Sequence, residues 1–309
     1  MRHLIVRILL FAMPGLALLA PCGCRQTAPQ VLFYQPEGTR QIVYATQPER
    51  LHITVYPRPE AAARGAVIFI HGGGWQAGGS ALPIYSDWHY PLQEAGLRAF
   101  SIEHRTAPRY RGQQLLDDCL TAIRTIHQRA AEFGFPADEI ALVGYSSGGH
   151  LAVLSALELS RAHSIPIKSV VAYYAPLDPA NLVYYKDNRL MELFRNYVPE
   201  INDDDPRLDS GQRGLNPMDR FIQSLRYYAP IEKIHPAMPP MLLIHGKDDN
   251  LVPFSQSVNF AMQADRIVPG RVQLRLIEKA DHNFIRSRGR WARLIDQEAL
   301  LFLLQHMSK

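Results

Sequence analysis

The sequence predicts an α/β protein, with a mostly parallel central sheet, helices on both faces and an insertion after the sixth strand region. Three observations predict it. From Ala66 onward, short apolar runs rich in β-branched residues alternate with stretches of helical periodicity, the pattern of βαβ units with right-handed crossovers. One such junction, Ile140 to Leu157, passes from an apolar run into a helical pattern through Gly144-Tyr145-Ser146-Ser147-Gly148. Residues able to do chemistry lie just past the ends of the runs, where the crevice of such a sheet is found.

The N-terminus stands apart. Arg2, His3 and Arg7 precede an apolar stretch from Ile8 to Ala20, followed by Pro21-Cys22-Gly23-Cys24. A positive start and a short apolar segment read as a secretory signal over residues 1–24, too short to favour a membrane span. Gly23-Cys24 resembles a bacterial lipoprotein signal, although Pro21 and Cys22 depart from the usual residues there. The expectation is export, to the periplasm or an outer-membrane-anchored state, with a lipid on Cys24; an uncleaved anchor helix is the alternative. Cys119 would then be the one cysteine of the folded domain, and its apolar helical surroundings (Leu115, Leu116, Leu120, Ile123) read as core. Residues 25–40 read as a tether, and 41–309 as one catalytic domain.

Within that domain, IVYATQPERLHITVYP reads as two strands around a Gln-Pro-Glu-Arg turn, with Leu51, Ile53 and Val55 alternating. AVIFI is a strand that ends in His71-Gly72-Gly73-Gly74. LRAFSIEHR is the next strand, and Gln114 to Phe133 an amphipathic helix. SVVAYYAP, MLLIHG and VQLRLIE are three further strands, and Trp291 to His306 a final helix. The interval 178–220 breaks the rhythm. It is polar and long for a connection, so it reads as an insertion near the site, a candidate lid, helical from Arg189 to Tyr197. Its Asp203-Asp204-Asp205 lacks the spacing of a calcium loop and reads as a solvated loop or helix cap.

Composition narrows the function. With 47% apolar and 20% charged residues and a net charge of +4 not gathered into a basic block, the chain offers little to nucleic acid. No structural-zinc spacing and no G-x-G-x-x-G occur, so neither a metal nor a cofactor is implied. Oligomeric state is not legible.

The chemistry begins at Ser146. A strand that turns sharply into a helix through glycines exposes the central serine as a nucleophile. A hydroxyl needs a base, and the base an orienting acid. Asp249 in MLLIHGKDDNLVP and His282 in KADHNF supply them in the order serine, acid, histidine. Asp248 competes with Asp249, and the spacing to Val252-Pro253 favours the latter. His282 is favoured over the other histidines by its place after the last strand; His235, His245 and His306 read as structural or surface residues. Backbone N–H groups of Gly73, Gly74 and Ser147 are the natural donors to an oxyanion, with His71 bracing the glycine loop. Trp75, Tyr85, Trp88 and Tyr90 follow that loop, either lining a substrate pocket or simply packing.

These pieces (HGGGWQAGG, SIEHRTAP, GYSSGGHLA, LLIHGKDDNLVP and ADHNF) resemble the α/β-hydrolase superfamily, in particular esterases of the hormone-sensitive-lipase type and the branch with bacterial feruloyl and acetylxylan esterases. The resemblance runs from about Val43 to the C-terminus. It implies the α/β-hydrolase fold and hydrolysis of short-chain acyl or aryl esters, including acetyl or feruloyl groups on carbohydrate. It implies Ser146 as nucleophile, Asp249 as acid and His282 as base. The chain departs from the usual pattern at Glu103-His104-Arg105-Thr106-Ala107-Pro108-Arg109, at Ser147 and at Asn283. A prolyl-oligopeptidase-like peptidase shares the triad order, but about 40 residues between Cys24 and Ala66 leave no room for its propeller. A non-catalytic carbohydrate-binding protein on the same fold is the remaining alternative.

Overall fold

The computed structural model describes residues 35–308 apart from 60, 81–82, 185–187, 200–213, 283 and 286–289. The expected signal, Cys24, most of the tether, Asp203–Asp205 and Asn283 lie outside the described residues. Eight strands form one sheet in the order β1-β2-β4-β3-β5-β6-β7-β8. They are β1 (Arg40–Ala45), β2 (Leu51–Val55), β3 (Gly65–Ile70), β4 (Leu97–Ile102), β5 (Ile140–Tyr145), β6 (Ile167–Tyr173), β7 (Met241–Gly246) and β8 (Val272–Ile277). The first two pair antiparallel, and β2 runs antiparallel to β4; from β3 to β8 all neighbours are parallel.

Helices cover both faces because the inner strands are apolar on both. On β3, Ile68 and Ile70 face one layer and Val67 and Phe69 the other, all fully buried. The first layer holds α2 (Gln113–Gln128), α4 (Ser147–Arg161) and α7 (Ser255–Ile267), through Leu115, Ile123, Leu154 and Phe260. The second holds α1 (Pro83–Glu94) and α8 (Arg290–His306), through Trp88, Leu92, Ile295 and Leu303. Each such side chain contributes about 1.5–3 kcal/mol by leaving water. Cys119 is fully buried in the first layer, as its sequence context implied.

The helix expected over Gln114–Phe133 is interrupted. At Arg129 φ is −101°, off helical geometry; the short α3 (Ala130–Phe133) follows and stops at Gly134 in the left-handed region. The stretch read as an insertion follows β6. It opens with a 3₁₀ turn (Pro179–Tyr184), continues as α5 (Asn188–Tyr197) and runs on into α6 (Pro217–Tyr227). Pro217 fits the first turn of α6, and the Asn216 side chain caps it by accepting from the Asp219 N–H.

Candidate active site

Ser146 sits where β5 ends and α4 begins, with φ +53° and ψ −122°. Non-glycine residues rarely hold such a backbone, which costs on the order of 1–3 kcal/mol unless the surroundings enforce it. Here they do. The Ser146 N–H donates to Tyr173 O at 2.9 Å, and its carbonyl accepts from His150 N–H at 3.1 Å. A Cβ on Gly148 would lie 2.2 Å from Ile70 O, so helix α4 can press against β3 only with glycine there.

The loop after β3 lies beside this turn: a Cβ on Gly72 would lie 2.5 Å from Tyr145 O. Gly73 has φ +125°, and its carbonyl accepts from the N–H groups of Gln76 and Ala77, which curls the loop. Among the described residues the Gly73 and Gly74 N–H groups donate to no protein acceptor. The Ser147 N–H, in the first turn of α4, has no helical partner. His71 anchors the near end: its Nδ1–H donates to Gly72 O at 3.0 Å, and its ring stacks on His104 with centroids 4.0 Å apart. Burial holds both imidazoles below the ordinary histidine range, so the pair stacks uncharged.

Ser146, His282 and Asp249, far apart in sequence, form one hydrogen-bonded chain. His282 Nε2 lies 3.0 Å from Ser146 Oγ, and Nδ1 lies 2.7 Å from Asp249 Oδ2. Asp249 Oδ1 accepts from the N–H groups of Leu251 and Val252 at 3.0 and 2.8 Å. Burial acts to raise the Asp249 pKa, but hydrogen bonds from His245, His282 and Val252 outweigh it and hold it at about 2. The carboxylate is therefore charged at neutral pH, so Nδ1 of His282 carries the proton and Nε2 is left to accept one. Such an arrangement can take a proton from Ser146 and return it to a leaving group. Asp248, its rival in the sequence, is exposed.

Two of the expected pocket residues are elsewhere. Trp75 is 1% exposed, stacks on Tyr197 and packs against the tilted ring of Phe194, both of α5, with centroids 4.6 Å away in both cases; its indole N–H points to His150 Nδ1 at 3.4 Å. Trp88 is also buried, packed on Phe69 and donating to Tyr145 Oη at 2.8 Å. Both rings satisfy their N–H inside the core, which explains why neither opens onto a pocket. Tyr85 lies on α1, with its side chain outside the described residues.

Three features escaped the sequence. Tyr174, at φ +40°, sets its ring 4.7 Å from that of His282. His245 is fully buried against Asp249, at 3.3 Å, and is no surface residue. Leu193 of α5 covers Gly74, within 3.0 Å of where a Cβ there would stand. The His245 contact had a signal in its four-residue spacing from Asp249 across a strand end; the other two depend on distant segments.

Residues 53–263 match the BD-FAE family. Among relatives, esterase LipC of Mycobacterium tuberculosis is 26% identical over 79% of this chain and 59% of its own length. For LipM of the same organism, a probable carboxylic ester hydrolase at 26% identity, the shares are 70% and 49%, so the chain spans little more than half of these proteins. The thermophilic esterase Est2 of Thermogutta terrifontis, solved with propionate bound, superposes with a TM-score of 0.64 at 25% identity, over 87% of this chain and 94% of that one. EstE1, a carboxylesterase from a metagenomic library, shares the fold with a TM-score of 0.72 at 18% identity, over 89% and 92% of the two chains. With an eight-stranded sheet of this order, a serine on the turn after β5 and a family match across most of its length, the chain belongs to the BD-FAE family and has the α/β-hydrolase fold.

Proposed function

We propose that the protein is a serine esterase that hydrolyses carboxylic esters through an acyl-enzyme. The observation that carries this is the continuous path from Ser146 Oγ through His282 to Asp249, at 3.0 and 2.7 Å, on a serine held at φ +53°. Ser146 attacks the acyl carbon while His282 takes its proton, and Asp249 stabilises the imidazolium. The N–H groups of Gly73, Gly74 and Ser147 receive the oxyanion. His282 then returns the proton to the leaving alcohol, and water repeats the cycle to release the acid. The names of LipC and Est2 support ester hydrolysis, and the propionate bound to Est2 supports a short acyl group. Acetyl or feruloyl decorations on carbohydrate are the substrates we infer within that class.

Hydrolysis of p-nitrophenyl acetate, butyrate and octanoate tests the reading. Turnover should fall with chain length, and Ser146→Ala should lose activity by a factor on the order of 10³ or more. Folded protein inert toward every ester would overturn it. Acetate release from acetylated xylan and ferulate release from feruloyl esters test the finer class. Export with a lipid on Cys24 remains our proposal for the N-terminus; incorporation of a labelled fatty acid in a bacterial host, abolished by Cys24→Ser, is the expected result.

A further inference from the structure

The acid of the site has a second imidazole on it. His245, at the end of β7, is fully buried, and its Nε2 lies 2.9 Å from Val252 O and 3.3 Å from Asp249 Oδ2. Both neighbours are acceptors, so Nε2 must carry a proton; a lone pair there would face two oxygens. The other nitrogen, Nδ1, is held by Ser257 Oγ of α7 at 2.8 Å. The same Oδ2 is the atom that accepts from His282 at 2.7 Å. Oδ1 is already taken by the Leu251 and Val252 N–H groups. Ser257, His245, Asp249, His282 and Ser146 therefore form one unbroken polar path, and its first three members come from the end of β7, the turn after it and the start of α7.

We propose that His245, oriented by Ser257, is a positioning residue for the reaction. Its Nε2–H, bonded to Val252 O, also faces the Asp249 Oδ2 that His282 binds, helping to fix the carboxylate rotamer and diluting the negative charge that His282 faces. The inference rests on the Ser146–His282–Asp249 reading. The dilution follows from chemistry: a carboxylate oxygen with two donors binds each less strongly than an oxygen with one. Among the described residues, the titratable groups facing the cluster besides Ser146 are Asp249 and His245 from the β7 side, His282 from the loop after β8 and Tyr174 from the end of β6. Lys247 is turned outward onto Glu278.

The test is the pH dependence of kcat/KM and kcat on p-nitrophenyl acetate, with the full chain. His245→Leu removes the donor and should move the acid limb of kcat/KM to higher pH by about half to one unit. It should also lower kcat about tenfold, with KM changed less than about twofold. His245→Gln, whose amide N–H can reach the position of Nε2, should restore both. Ser257→Ala, which frees Nδ1 but keeps the ring, should move the limb the same way by less, and it serves as the reading if the leucine variant does not fold. An unmoved limb in both His245→Leu and Ser257→Ala, or equal impairment by leucine and glutamine, would mean packing alone and overturn the proposal. Ser146→Ala in the same assay separates the two levels: retained activity there overturns the esterase reading itself.

Discussion

The turn that carries Ser146 and the glycine loop after β3 stand side by side, yet they are held by different means. The serine turn is held by backbone. Its N–H reaches Tyr173 O, and Gly148 lies against Ile70 O, so the register of β5 with its neighbours β3 and β6 is enough to set it. The loop is held mainly by side chains from other parts of the chain, with a backbone bond beside them. His71 stacks on His104, Trp75 is clasped by Phe194 and Tyr197, Leu193 covers Gly74, and Ala107 N–H donates to Trp75 O at 2.8 Å. Part of that grip comes from the insertion. The serine turn can therefore stay constant while the glycine loop varies with α5.

The largest effect should come from attacking the backbone contact. Gly148→Ala would force a Cβ into Ile70 O and should destabilise the fold by more than about 5 kcal/mol, seen as a large fall in thermal midpoint or a failure to fold. Trp75→Ala removes the main side-chain anchor and should cost roughly 3–5 kcal/mol. Trp75→Phe should recover most of that stability but not all of kcat, because the indole N–H to His150 is lost. A Trp75→Phe protein with unchanged kcat would show that the loop does not depend on the hydrogen bond to His150.

Acid pH probes Asp249, behind His282. Folding lowers the Asp249 pKa from 3.8 to about 2, so the ionised carboxylate stabilises the fold fully above about pH 4. That contribution, on the order of 2 kcal/mol, should fade as pH falls from 4 toward 2. Urea midpoints should show this loss in the wild type and a flatter profile in Asp249→Asn. The smallest structural change is Leu193→Ala on the half-buried face of α5. It should move stability by only about 1 kcal/mol yet reduce kcat severalfold, since it uncovers Gly74. Kinetics beside thermal melting would check it.

The same division explains what could be read in advance. Ser146, Asp249 and His282 were legible because each lies in a short motif at a strand end, and the strand order brings such ends together. The mostly parallel sheet was legible because β3 and β5 are apolar throughout and β7 is apolar as far as His245. Trp75 was not, because its role depends on Phe194 and Tyr197, about 120 residues away, and an aromatic after a glycine loop fits a pocket and a core equally well. Tyr174 carries no sequence mark for a left-handed backbone; it adopts φ +40° as β6 hands over to the insertion, with its N–H bound to Ile244 O at 2.7 Å. The break at Arg129 was hidden because its neighbours keep the helical apolar period on either side.

The segment from His245 to Ser257 has a consequence for how such proteins diversify. It carries the acid, both backbone donors to Oδ1, the second imidazole and the hydroxyl behind it, all within one strand end, one turn and the first residues of one helix. A complete acid arm is thus encoded in one continuous stretch. Recombination that exchanges it between relatives carries the support of Asp249 along and has to re-match outside partners such as His282 on Asp249 and Asp178 on Gln256, whereas the glycine loop draws its own support from several distant segments.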